Sequence, residues 1–387
     1  MIACAFTQKV VKFIEMMQPK SEEEIQLKKG MTPEELVQHK NIHYLFHYGH
    51  ERSEVQVDEH VSVTNDEILE KAYGGYNWKK EFFKHNTSDH AHVTFAKNAI
   101  DEIKKRMVTG DFILCFWGLG HQPIADAFKD TCIIVEPGIG YKPSSSINYS
   151  FKVFESYAIM HYSYGLLKKE HGVWYDCVIP NYFNKDDFEF RDKKEDYYLY
   201  LGRLISSKGV DVVIDLAKRQ GFKLLIAGQG SLDELGHEPD TIPDNIQYVG
   251  YADLEKRREL MAGARALFLP TYYIEPFGGV TMEAMMSGTP VITTDWGVFA
   301  ETVLHGVTGY RCRTMDHFEW ALNNIDTINP HNCREWAMNN YSIDAIRKMY
   351  EEYFDMLIKV KFGEGFYEKN PSRTELDWLC KTYPVLE

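Results

Sequence analysis

The sequence predicts an α/β protein made of two doubly wound domains that face each other across a cleft. Three observations predict it. Short β-branched or aromatic runs alternate with amphipathic helical stretches. That alternation stops once, near residue 180, and then restarts. The chain is also 387 residues long, more than one ordinary core accommodates. Alternating β and α units imply parallel sheets covered by helices on both faces. In such sheets ligands bind at the carboxyl ends of the strands, so the loops that follow strands are where function is sought.

In the first half the strand candidates are His43–Tyr48, Val61–Thr64, Asp111–Trp117, Cys132–Glu136, Tyr157–His161 and Cys177–Ile179. Between them, Ala91–Met107 places Ala96, Ile100 and Ile103 on one helical face. The stretch VIPNYFNKDDFEFRDKKEDYYLYLG opens on a Pro-Asn turn and is charged and poorly periodic, which suits an interdomain crossing. Then come strand Tyr197–Leu201, helix Gly209–Arg219, strands Lys223–Ala227 and Ile246–Val249, and helix Asp253–Met261. Strand Ala266–Leu269, helix Val280–Met286 and strands Val291–Thr293 and Thr308–Cys312 complete the series. A last helix, Ile343–Ile358, carries Ile346, Met349, Tyr350, Tyr353 and Phe354 at helical spacing. These elements divide the chain into domains 1–180 and 181–342 and a C-terminal segment 343–387, expected to pack back towards the first domain.

Bulk properties narrow the function. The chain is 44% hydrophobic and 26% charged, a globular composition, and its net charge of −14 argues against a nucleic-acid scaffold. Seven cysteines, at 4, 115, 132, 177, 312, 333 and 380, form no Cys-x-x-Cys pair and are odd in number. That pattern suits reduced thiols in a cytoplasmic protein. His85, His90 and His92 lack the spacing of a helical metal site, so solvated or capping roles are expected and no metal is. No apolar run approaches a membrane span and no charged-then-apolar signal segment opens the chain, so membrane contact is expected to be peripheral at most.

The chemistry concentrates in the second half. In IEPFGGVTMEAMMSGTPVITTD, Glu275 and Glu283 stand on either side of a Phe277-Gly278-Gly279 turn that leads into a helix. A strand–Gly-Gly–helix junction offers free N–H groups and the positive helix end to an anion, typically phosphate. Glu283, about one turn inside, can accept bonds from ribose hydroxyls, and Glu275 from a sugar at the other end of a diphosphate. The alternative is that Glu283 complements the helix dipole and Glu275 faces solvent. In YLYLGRLISSKGVDVVIDLAKR, Arg203 and Lys208 leave the end of a strand with Gly202 and Gly209. Arg203 can grip phosphate through two bonds and Lys208 acts as a mobile point charge. LLIAGQGSL repeats the pattern with Gly228 and Gly230, without the third glycine of a dinucleotide fingerprint. YVGYADLEK puts Tyr251 at a loop where a base could stack.

Arg203…Lys208-Gly209, Ala227-Gly228-Gln229-Gly230 and Glu275-Pro-Phe-Gly-Gly…Glu283 together resemble the signature of retaining GT-B glycosyltransferases, family four (group 1) in particular. The resemblance implies a first domain on the acceptor side and a second that binds a nucleotide-sugar donor. It implies that Glu275 contacts the donor sugar beside the backbone of 277–279, with Val280 and Thr281 following. Glu283 would hold the ribose, and Arg203 and Lys208 the diphosphate. His121, in CFWGLGHQPIADAF, matches the histidine that family members place near the donor sugar; a structural cap is the alternative. FESYAIMHYSYG and VIPNYF look like later first-domain segments of the family. The segment ACAFTQKVVKFIEMM resembles the family's first helix and starts at residue 3, which implies either a start upstream of Met1 or a first sheet without its first strand and the loop after it.

The implied activity is metal-independent, retaining transfer of a sugar from a nucleotide-diphosphate sugar to a hydroxyl acceptor, whether glycan, lipid-linked or small molecule. The route is front-face displacement: the leaving β-phosphate oxygen takes the acceptor proton. Two other outcomes stay open, a GT-B nucleotide-sugar epimerase and a catalytically silent nucleotide-sugar-binding protein.

Overall fold

The computed structural model describes residues 2–4, 8–18, 21–31, 43–53, 55–75, 86–237, 241–367 and 369. Its first sheet is parallel, with order β3-β2-β1-β4-β5-β6-β7. The strands are β1 Ile2–Cys4, β2 Phe46–His50, β3 Glu59–Thr64, β4 Phe112–Cys115, β5 Ile133–Ile139, β6 Phe151–Phe154 and β7 Cys177–Val178. The helices of this half are α1 Gln8–Met17, α2 Glu22–Lys29, α3 Asp66–Tyr73, α4 His90–Lys104, α5 Gln122–Phe128 and α6 Tyr157–Leu166.

Two expectations are corrected here. The first strand is present: Ile2 pairs with Phe46 on one side and Ile113 on the other, so β1 lies at the centre of its sheet. A three-residue strand is too short to show a pattern, and only its two neighbours define it. Tyr157–His161 is helical, the start of α6, and the strand is Phe151–Phe154 just upstream. Both segments are aromatic-rich; Ser156 decides between them by capping Ile159 N at 3.2 Å.

The second sheet has order β10-β9-β8-β11-β12-β13, again parallel. Its strands are β8 Tyr198–Leu201, β9 Leu224–Ala227, β10 Ile246–Gly250, β11 Leu267–Leu269, β12 Val291–Thr294 and β13 Gly309–Cys312. Around it lie α7 Val210–Gln220, α8 Leu254–Gly263, α9 Gly279–Met286, α10 Phe299–Thr302, α11 Met315–Asn324, α12 Pro330–Tyr341 and α13 Ile343–Phe362. Every strand of this sheet except β10 and β13 is buried throughout, the pattern of a sheet covered on both faces. Strand order reverses direction between β8 and β11, the switch point at whose carboxyl edge such sheets bind ligands. The corresponding switch in the first sheet lies between β1 and β4.

The last helix belongs to the first sheet's core. Ile343, Ile346, Tyr350, Tyr353, Phe354 and Leu357 of α13 share a buried cluster with Val10, Phe13, Ile14 and Met17 of α1. The Phe13 ring meets Tyr350 edge-on at 5.0 Å and Phe116 at 5.3 Å. The chain crosses between sheets at residues 182–184 and again at 341–343, where Phe183 N donates to Tyr341 O and Ile343 N to Phe183 O.

Candidate functional site

The two loops at the second sheet's switch point are stitched together. Tyr272 N donates to Ser207 O at 2.8 Å, and Tyr200 Oη donates to Arg203 O at 3.0 Å. Gly209 holds a left-handed φ of 76°, and a Cβ there would stand 2.0 Å from Pro270 O. Only glycine lets the turn after β8 lie this close to the end of β11. The approach brings Lys208 to Glu275: its ammonium pairs with Glu275 Oε2. The same oxygen accepts the Tyr273 hydroxyl at 2.9 Å, and Lys208 Nζ lies 5.0 Å from the Tyr273 ring centre. Glu275 is 6% exposed. Arg203 also reaches the Tyr273 hydroxyl. Burial, then the charge and bond of Glu275, hold the Tyr273 pKa above its ordinary value while Arg203 works the other way, so the phenol stays protonated and donates. Arg203, Lys208 and Glu275 thus form one group, with Tyr273 at its centre.

The neighbouring loop is locked in register. A Cβ on Gly228, whose φ is 149°, would stand 1.8 Å from Gly202 O. Leu204 N donates to Gln229 O at 2.8 Å, and the Tyr248 hydroxyl reaches the carbonyls of Gly228 and Gly230, each at 3.0 Å. Tyr251 is exposed at the turn after β10.

Gly278 is the N-cap of α9 and brings no capping side chain, so the amides of Gly279 and Val280 open the helix. Two residues named from the sequence have their side chains engaged elsewhere. Phe277 is buried against Phe183 and Tyr341, with ring centres 6.1 and 5.9 Å away. The Thr281 hydroxyl donates to Gly278 O at 2.7 Å inside the helix start. Only the backbone of these two can face a ligand. Glu283 pairs with Arg257 of α8.

His121 ends a short turn after β4, at the first sheet's switch point. It is 3% exposed, its ring stacks on Phe95 at 5.6 Å, and burial, helped by His92, lowers its pKa to about 3. It is therefore neutral. Phe95 and His92 beside it belong to the first half; Ser156 makes the bridge to the second sheet beside Glu275, its hydroxyl donating to Pro276 O at 2.6 Å.

Sequence reasoning missed Tyr273, Arg257 and Ser156. The spacing Tyr273-Ile274-Glu275 was a usable signal for the first. Arg257 sits in the helix that follows Tyr251, where a basic run EKRREL was visible. Among the described residues no helix is long and apolar enough to cross a membrane.

Known proteins share this architecture. A glycosyltransferase involved in avilamycin A biosynthesis superposes with a TM-score of 0.60 at 17% identity, covering 92% of this chain and 97% of that one. Anabaena HepE, solved in complex with UDP and glucose, gives 0.58 at 14% identity, covering 92% and 98%. The fold is that of the GT-B glycosyltransferases. Residues 182–338, the stretch that bears Arg203, Lys208, Glu275 and Glu283, match the family Glycosyl transferases group 1. An uncharacterized glycosyltransferase of Methanocaldococcus jannaschii is 29% identical over 169 residues, 41% of each chain. Mycobacterium tuberculosis glycogen synthase is 35% identical over 132 residues, 30% of each. The matches span less than half the length of these curated relatives.

Proposed function

We propose that this chain transfers a sugar, with retention of anomeric configuration and without a metal, from a nucleoside-diphosphate sugar to a hydroxyl acceptor in the cytoplasm. The observation that carries this is the joining of Arg203, Lys208 and Glu275 through Tyr273 at the carboxyl edge of the second sheet's switch point, beside the open start of α9. A departing nucleoside diphosphate gathers charge on its β-phosphate. Arg203, Lys208 and the Gly279 and Val280 amides supply fixed positive ends for that charge; one such donor is typically worth about 10²–10³ in rate. Lys208 then exchanges its Glu275 partner for phosphate.

Glu275 has one oxygen already committed to Lys208 and Tyr273, which suits hydroxyl recognition on the sugar better than nucleophilic attack. Front-face displacement follows. The bond between the anomeric carbon and the β-phosphate oxygen breaks as the acceptor oxygen bonds to the same face, and that leaving oxygen takes the acceptor proton. His121, neutral and buried, can exchange hydrogen bonds with a sugar hydroxyl but supplies no charge. Glu283, oriented by Arg257, serves the ribose, and the backbone at Gly228 and Gly230 with Tyr251 borders the base. The UDP named for Anabaena HepE supports a nucleoside diphosphate as the bound product. Glycan, lipid-linked and small-molecule hydroxyls all fit as acceptors.

The test is a panel of nucleotide sugars with and without acceptors and chelator, the product's anomeric configuration being read by NMR. Retained configuration with chelator-resistant transfer is expected. Glu275→Ala should lose transfer by at least about 100-fold while keeping nucleoside diphosphate binding. Undiminished turnover by that variant, or an epimerised donor in place of a transfer product, would refute the assignment.

A further inference from the structure

The two sheets meet beside Glu275 through bonds that the donor-binding group leaves unexplained. α6 begins at Tyr157 with Ser156 as its N-cap. All four amides of its first turn are bound. Ile159 N donates to Ser156 Oγ at 3.2 Å and Met160 N to Ser156 O at 3.1 Å. Tyr157 N and Ala158 N donate at 2.9 and 2.6 Å to the two carboxylate oxygens of Glu301. A carboxylate carried by α10, on the second sheet, therefore completes the start of a helix on the first.

The same contact reaches the donor loop. Ser156 Oγ donates to Pro276 O at 2.6 Å. Val298 N, at the start of α10, donates to Glu275 O at 3.2 Å. The Phe299 ring lies against Gly278, where a Cβ would meet it at 3.0 Å. Residues 275–278 are held at three points, and Glu301 shares a helical turn with two of them. Ser156 is 2% exposed, so its bond to Pro276 is shielded from water.

Glu301 is a costly choice for mere packing. Burial raises its carboxyl pKa above the ordinary value, opposed by the two amide bonds and by His161. Holding the ionised form there costs folding free energy.

We infer that Glu301 and Ser156 are positioning residues for transfer, latching the start of α6 to the loop that bears Glu275 and so setting the spacing between the two sheet edges. Its catalytic consequence rests on the transferase assignment above; the latch itself is read without turnover.

The experiment uses Glu301→Gln in the full chain. Glutamine keeps one acceptor oxygen and turns an amide donor towards the second backbone N–H. The kcat for transfer should fall by about tenfold or more, since small misplacements of reacting groups carry penalties of that order. Donor KM and nucleoside diphosphate Kd should stay within about twofold. Hydrogen exchange at the Tyr157 and Ala158 amides should accelerate. Ser156→Ala, which removes the Pro276 bond, should show the same split between kcat and KM to a smaller degree. Unchanged exchange in Glu301→Gln would remove the latch, and unchanged kcat in both variants would remove its positioning role. A wild-type chain that transfers nothing, but whose exchange responds as stated, would refute the transferase assignment while supporting the latch.

Discussion

Replacing Lys208 by alanine strands a buried carboxylate. The side chains of Lys208 and Glu275 are 13% and 8% exposed, so solvent screens their attraction little. Removing one partner of such a pair costs about 3–5 kcal/mol, because the other charge stays behind. Glu275 is not left bare: the Tyr273 hydroxyl at 2.9 Å remains, and a bond of that charged kind contributes about 1.5–3 kcal/mol. The net loss should therefore be about 2 kcal/mol. For domains of this size that lowers the melting temperature by roughly 4–8 °C. The assay is a double-mutant cycle by calorimetry with Lys208→Ala, Glu275→Gln and their combination. Neutralising Glu275 in the Lys208→Ala background should recover most of the loss, giving a coupling of about 1–3 kcal/mol that persists in 1 M salt. A Lys208→Ala melting point within about 1 °C of wild type, or simple additivity of the two changes, would refute the buried pair as the organising contact of the site.

Two further outcomes follow from the geometry. Gly228→Ala combines a φ of 149° with a Cβ 1.8 Å from Gly202 O, a clash that no side-chain rotation relieves. Strain of about 1–3 kcal/mol and at least a tenfold weaker nucleoside diphosphate Kd are expected by calorimetry and titration, and unchanged affinity would separate this loop from the donor site. His121 has a folded-state pKa of about 3, below its ordinary 6.5, so the unfolded chain binds the extra proton. Its contribution to stability is full above pH 6.5 and is lost as pH falls towards 3, by about 1.4 kcal/mol per unit. His121→Asn should flatten the acid limb of a pH–melting curve between those limits, and an unaltered limb would place the acid sensitivity elsewhere.

The second half was legible because its signals are local. Arg203, Lys208, Gly228, Gly230 and Glu275 each follow a strand that its own residues announce, and in a parallel sheet every such loop opens on the same edge. Contacts between loops were not legible. Lys208 and Glu275 are 67 positions apart and nothing near either encodes their pairing. Glu301 lies 144 positions from Tyr157, whose amide it accepts. In the sequence Arg257 is one of several charges in the run EKRREL. β1 failed for another reason: three residues hold too little periodicity, and the strand exists only through Phe46 and Ile113 beside it. In FKVFESYAIM the aromatic content favoured a strand too far along, although Ser156 marked the helix start.

The return of α13 to the first sheet has a consequence for biosynthesis. Val10, Phe13 and Met17 need Ile346, Tyr350 and Phe354 to cover them, and those residues leave the ribosome only after the entire second sheet. At about 5–20 residues per second that interval is on the order of ten seconds or more. Through it the apolar side chains of Val10, Phe13 and Met17 lack the helix that covers them. A stop codon shortly before Ile343 would make that exposure permanent.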